Sequence, residues 1–194
     1  MWHLSHFSTS VCFFIFFFLL PHQTSCSITP ISIDLINTTC DSCASESTIF
    51  DYGFCLASLQ AIPISYATNL QGLAIIAMEL AIENATSTVS GIIKLLSNGT
   101  FDQYTTLCLE DCLELYIDAI ATLGNSIGTF LSGQYDIANV WLSSVMEGAK
   151  TCEGGFEEKA GGVYPLTKEN YNLFQLCDIA LCIIHMLSQP LPSY

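Results

Sequence analysis

From Tyr66 onward the apolar residues return every three or four positions over four long stretches, the period of helices that bury one face. Leu70, Leu73, Ala77 and Leu80 open the first stripe, Ile92 and Leu95 close it, and Ser97-Asn98-Gly99 breaks it. Tyr104, Cys108, Cys112, Leu115, Ala119 and Leu123 form the second, ended by Ser132-Gly133. Tyr135, Ala138, Leu142, Val145, Ala149 and Cys152 form the third, with a stop expected at Gly154-Gly155. After a loop holding Gly161, Gly162 and Pro165, Thr167 is the expected N-cap of a fourth helix carrying Leu173, Cys177, Ala180, Ile184 and Leu187. Pro190 forbids its continuation.

Four such helices with short breaks predict an all-α, up-down-up-down four-helix bundle over residues 65–190. No turn dipeptide separates alternating runs, so no hairpin of strands is expected. Ile31 to Ala61 is too broken for one long helix. It reads as short helices around Asp51-Tyr52-Gly53, ended by Pro63, making residues 27–64 an N-terminal helical hairpin that buries little by itself.

The head of the chain changes the setting. Val11 to Leu20 is an uncharged apolar run of about 15 Å as a helix, half a bilayer, which fits the core of a secretory leader and not a membrane span. Small residues at Ser25-Cys26-Ser27 place cleavage after about residue 26 and the rest of the chain outside the cell. Of ten cysteines, Cys12 and Cys26 leave with this segment, and an even eight remain for an oxidising compartment. Sequons at Asn37, Asn84 and Asn98 agree with that route. Asn37 and Asn98 fall in accessible places, whereas Asn84 continues the stripe of Leu73, Ala77 and Leu80 and is expected to stay unmodified.

Charge and inventory then exclude function classes. The segment after residue 26 keeps all 18 acidic residues against Lys94, Lys150, Lys159 and Lys168, a net charge of −14. Such a chain repels phosphate backbones and anionic lipid, so neither nucleic acid nor a membrane is an expected partner; a basic protein is. His185, in Ile183-Ile184-His185-Met186-Leu187, is the sole histidine after the leader, which leaves nucleophile–base arrangements without parts. Glu110, Glu114 and Asp118, with Asp111 beside them, lie in one row four residues apart, a solvated face rather than an acid/base pair and a candidate contact for a partner. Cys40-x2-Cys43, Cys108-x3-Cys112 and Cys177-x4-Cys182 are not matched zinc knuckles, and no phosphate or calcium loop occurs, so neither metal nor cofactor is expected.

Disulfide pairing has geometric content. Cys40 and Cys55 bracket fourteen residues and would close the hairpin. Cys112 and Cys152 stand about twenty residues either side of Gly133, so antiparallel helices bring them level. The other four could pair or stay as small buried apolar groups. A third bridge is expected between Cys108 and Cys177, both on inward stripes.

The strings Thr39-Cys40, Tyr52-Gly53-Phe54-Cys55, Asn69-Leu70-Gln71-Gly72-Leu73-Ala74, Asp111-Cys112, Leu115-Tyr116 and Asp118-Ala119 stand in a specific order. Tyr135-Asp136-Ile137-Ala138-Asn139, Thr151 to Lys159 and Thr167-Lys168-Glu169-Asn170 complete it. In that order and spacing the chain resembles the plant invertase and pectin methylesterase inhibitor family, nearest its branch of pollen-allergen-like invertase inhibitors, from about Ile33 to Leu187. The resemblance implies a four-helix bundle with an N-terminal helical hairpin and two disulfides matching Cys40–Cys55 and Cys112–Cys152. It also implies a cell-wall protein that blocks a carbohydrate-modifying enzyme, an invertase or a pectin methylesterase, and is not itself an enzyme. Cys43, Cys108, Cys177 and Cys182 are additions to the family's four-cysteine pattern, and the Pro-Lys-Phe of cell-wall invertase inhibitors is absent. A carrier of small apolar ligands is the competing class, but the adjacent Cys-Cys and the Cys-x-Cys of lipid-transfer proteins do not occur. A secreted bundle without inhibitory activity is the third reading.

Overall fold

A computed structural model describes residues 30–157 and 165–189. The expected leader, most of the loop after the third bundle helix and Pro190 lie outside these residues. Two helices, α1 (Pro30–Glu46) and α2 (Tyr52–Gln60), precede a 3-10 turn at Pro63–Ala67. The bundle follows as α3 (Leu70–Asn98), α4 (Gln103–Leu131), α5 (Tyr135–Glu157) and α6 (Thr167–Ser188).

Each start has a local cause. The side chain of Asp51 accepts from the Phe54 amide at 2.8 Å, Asn69 from the Gly72 amide at 3.0 Å, and Asp102 from the amides of Tyr104 and Thr105, so orphan donors of the first turns are satisfied. Between α4 and α5 the chain reverses at Gly133, whose φ of 74° a side chain would resist. The amides of Gly133 and Gln134 reach back to the carbonyls of Phe130 and Thr129, both at 2.9 Å, the pairing that closes a helix on a left-handed residue.

Neighbouring helices run antiparallel, and their facing stripes bury Leu73, Met78, Ile92, Leu109, Leu123, Leu142, Leu173, Ile179 and Ile183 completely or nearly so. By length and composition alone α6 could cross a membrane, but its apolar stripe faces this core. Inside the core runs a polar chain. Tyr116 of α4 donates to Asn170 Oδ1 of α6 at 2.8 Å. Asn170 donates to Glu153 Oε2 of α5 at 2.5 Å, and Thr167 donates to Glu153 Oε1 at the same distance. Ser126 of α4 donates to Met78 Sδ of α3 at 3.4 Å. All four bundle helices are thereby joined by hydrogen bonds that exist at one relative depth only.

The hairpin rests on α3 and α6. Cys40–Cys55 staples it internally, Cys112–Cys152 ties α4 to α5, and Cys43–Cys182 ties α1 to α6. On loop-closure entropy these contribute about 3, 4 and 5 kcal/mol respectively, in the order of their sequence separations of 15, 40 and 139. Ser47 Oγ donates to Asp178 Oδ2 at 2.7 Å and Tyr171 Oη to the Ile49 carbonyl at 2.8 Å, adding two more ties at the hairpin's turn.

Four expectations need correction. The bridge Cys108–Cys177 does not form; both thiols are free and buried. The helices α4 and α6 are diagonal and run parallel, with Tyr116 level with Asn170. Cys108 lies eight residues to one side of that level and Cys177 seven to the other, a separation of about 22 Å along the bundle at 1.5 Å per residue. The first part of the hairpin is one 17-residue helix, α1, rather than a set of short ones. Its pattern is weak, but Ile36, Cys40 and Cys43 are sealed against its neighbours, and tertiary packing supplies what the sequence periodicity lacks. Gly154-Gly155 does not stop α5, which runs to Glu157 because the next residue, Phe156, is buried in the core. The N-cap of α6 is Leu166; the Thr167 hydroxyl goes to Glu153 instead of to its own helix.

Burial raises the Tyr116 phenol above its ordinary 10.0, with the Glu169 charge adding to the shift, and burial raises the Cys177 thiol above its ordinary 9.0. A raised folded-state value for an acid means that the native state holds its proton longer than the unfolded chain. The stability linked to both groups is therefore full below about pH 9 and declines as pH rises beyond it, with no loss on the acid side. Urea midpoints measured from pH 7 to 11 should fall on the alkaline arm, and Cys177→Ala should flatten that fall. Tyr116→Phe, which strands the Asn170 oxygen in the core, should cost about 1–3 kcal/mol, or about 3–10 °C in Tm. An unchanged Tm would remove the polar chain from the account.

Candidate partner-binding surface

The face of the bundle away from the hairpin is formed by α4 and α5. On α4 the row Glu110, Glu114 and Asp118 is exposed throughout, with Asp111 beside it. This follows from the phase set by Cys108, Cys112, Tyr116 and Ala119, whose burial leaves the intervening positions to solvent. Among the described residues no cation pairs with the row, since the one salt bridge joins Lys150 to Glu147. Leu107 and Ile117, each 51% exposed, interrupt the acids with apolar side chains.

Across the Gly133 turn the surface becomes apolar. Leu131 at the end of α4 is 67% exposed; on α5 Val140 is 66% exposed and shares one helical face with the exposed Ile137 and Trp141. On the adjoining part of α4, Ala121, Gly124 and Gly128 are exposed or nearly so and leave the helix backbone open. Among the described residues nothing lies within 4 Å of where a Cβ would stand on either glycine. An exposed aromatic with exposed aliphatic residues on the same helical face is costly to leave in water and is the composition of a protein-docking patch.

At the other end of the same two helices an open groove of about 570 Å³ is lined by Tyr104, Leu107, Cys108, Asp111, Leu115 and the Cys112–Cys152 bridge. Cys108, 8% exposed, donates to the Gly155 carbonyl at 3.4 Å, and Tyr104 Oη donates to the same oxygen at 2.6 Å. Among the described residues no histidine lines this groove, and His185 sits on α6 against Gln189.

Residues 34–183 match the family described as plant invertase/pectin methylesterase inhibitor. The chain belongs to that family. It is 38% identical over 180 residues to a Platanus acerifolia protein named "Putative invertase inhibitor", covering 93% of this chain and 97% of that one. It is 35% identical over 133 residues to a pectinesterase inhibitor of Actinidia deliciosa, covering 69% and 71%. Among solved structures, the crystal structure of mutant form A of a pectin methylesterase inhibitor from Arabidopsis superposes with a TM-score of 0.65 at 26% identity, over 78% of this chain and 95% of that one. As a family member the chain has the expected helical-bundle architecture, and relatives named for either target enzyme share it.

Sequence reasoning found the acidic row and missed the apolar half of the face. Ile137, Val140 and Trp141 lie off the stripe of Ala138, Leu142 and Val145, and apolar residues at the wrong helical phase were the available signal. It also left Cys43 and Cys182 unassigned, because a contact between the hairpin and the last helix depends on where the hairpin docks.

The sequons differ in setting. Asn98 ends α3 and is exposed, while Asn37 is half-buried on α1 with the Tyr52 hydroxyl 3.5 Å from its oxygen. Asn84 lies mid-helix on α3, and its Oδ1 is sealed from solvent with no hydrogen-bond partner among the described residues. Mass spectrometry of the folded, secreted protein should find glycan at Asn98 and Asn37 and none at Asn84. Glycan at Asn84 would mean that α3 does not pack in this phase.

Proposed function

We propose that the protein is a secreted inhibitor that binds a plant cell-wall carbohydrate-modifying enzyme one-to-one through the α4–α5 face and covers its active site. The observation that carries this reading is the match to inhibitor relatives over nearly the whole chain, and the Platanus relative spans 93% of it. The exposed acids and the Trp141 patch supply the means: burial of the apolar side chains for affinity, and Glu110, Glu114 and Asp118 for steering a basic partner. Inhibition of this kind needs no catalytic group, only a rigid surface that excludes substrate. The four-helix polar chain and the Cys112–Cys152 bridge supply that rigidity directly beneath the face.

The leading target is an invertase, on the identity to the Platanus relative. Pectin methylesterase is the second, supported by the Actinidia relative and by the absence of Pro-Lys-Phe. Purified protein, freed of residues 1–26, should be titrated against both enzymes at acid pH in low and raised salt. Stoichiometric inhibition of invertase that weakens as salt rises is the expected result. Inhibition of methylesterase alone reverses the order of targets, and binding to neither favours the carrier or the inert secreted bundle.

The triple substitution Glu110→Gln, Glu114→Gln and Asp118→Asn touches no core contact. It should shift stability by no more than about 0.5 kcal/mol per site. Stopped-flow association with the inhibited enzyme should nevertheless slow by about tenfold at low salt, the difference vanishing at high salt. An unchanged association rate would take the acidic row out of the interface.

A further inference from the structure

The three disulfides divide by module. Cys40–Cys55 lies within the hairpin and Cys112–Cys152 within the bundle, while Cys43–Cys182 joins one to the other. Beyond the chain itself, it is the one covalent link between them among the described residues. The residues of the two internal bridges are 0–2% exposed, and so is Cys43 at 1%, whereas Cys182 is only half-buried. An external thiolate therefore meets the sulfur of Cys182 before any other bridged sulfur. Besides the burial of Ile36, Phe50 and Leu59 in the common core, two hydrogen bonds tie the hairpin's turn to α6, Ser47 to Asp178 and Tyr171 to the Ile49 carbonyl, each readily exchanged for water.

We propose that Cys43–Cys182 is a reducible latch: a small or protein dithiol opens it ahead of the other two bridges, and the hairpin then loosens from α6 while the bundle stays folded. A thiolate of the dithiol attacks Cys182 Sγ, the Cys43–Cys182 bond breaks, and Cys43 leaves as a thiolate that takes up a proton. The second thiol of the reductant then attacks the mixed disulfide, releasing Cys182 as a thiol and leaving the reductant as its own disulfide. Two electrons pass from the dithiol to the bridge, and nothing else is consumed. Both modules survive the cut, since each keeps its own staple.

The test uses the folded full-length secreted protein under graded dithiothreitol, quenched with an alkylating reagent and mapped by mass spectrometry. Cys108 and Cys177 are counted as free thiols at time zero. Cys43 and Cys182 should be alkylated before Cys40, Cys55, Cys112 and Cys152. At that stage hydrogen exchange over residues 30–60 should be at least tenfold faster, with bundle amides within twofold of their starting rates. Cys182→Ser, or Cys43→Ala if the first variant folds poorly, should give the same loosening with no reductant. Opening of Cys112–Cys152 or Cys40–Cys55 first would overturn the proposal, as would unchanged hairpin protection once Cys43–Cys182 is gone. Neither readout depends on which enzyme, if any, the protein inhibits.

Discussion

The hydrogen bonds that run from Tyr116 through Asn170 to Glu153 and Thr167, with that of Ser126 to Met78, tie together every helix of the bundle in its interior. Apolar stripes alone would let four helices slide past one another with little change in buried area. A polar group stranded in the core, by contrast, costs more than the bond it loses, so the network penalises any other depth. With depth fixed, Cys112 meets Cys152 and Cys108 faces Gly155. The same constraint keeps Cys108 and Cys177 apart and leaves both as thiols.

The same register decides what the surface can do. Once Cys108, Cys112 and Tyr116 point inward, Glu110, Glu114 and Asp118 have no choice but to face solvent, and the burial of Ala138, Leu142 and Val145 leaves Ile137, Val140 and Trp141 exposed on the neighbouring helix. The hairpin packs on α3 and α6 and so leaves the α4–α5 face bare. Asn98, the most open of the sequons, sits at the end of α3 rather than on that face. The proposed binding surface, the Asn98 sequon and the hairpin are separated by the order in which four helices close a bundle.

How much of this was legible in the sequence depended on whether the signal was local. The four bundle helices, their breaks at Gly99 and Gly133, and the exposure of the acidic row follow from a period of 3.6 and needed no structure. The hairpin's first helix was under-read because α1 is held by what lies around Ile36, Cys40 and Cys43 rather than by its own amphipathicity. Gly154-Gly155 misled for the opposite reason: a local stop signal was overridden by the burial of Phe156. The pairing of Cys43 with Cys182, across 139 residues, and the mispairing proposed for Cys108 both turned on helix depth and hairpin docking, which no local pattern encodes. The apolar part of the proposed binding face was visible as Ile137, Val140 and Trp141 out of phase, yet such positions on one helix read as scattered surface residues until their exposure on the folded bundle is seen.

The central claim is that α4 and α5 present the surface that engages the target enzyme. Hydroxyl-radical footprinting of the protein alone and in its inhibited complex tests it side chain by side chain. The account predicts strong protection of Trp141, Val140, Leu131 and Leu107 in the complex, with Tyr52, Ile64 and Tyr171 of the hairpin side oxidised as in the free protein. Protection of Tyr52, Ile64 and Tyr171 with Trp141 unchanged would contradict it, and would move the working surface to the hairpin.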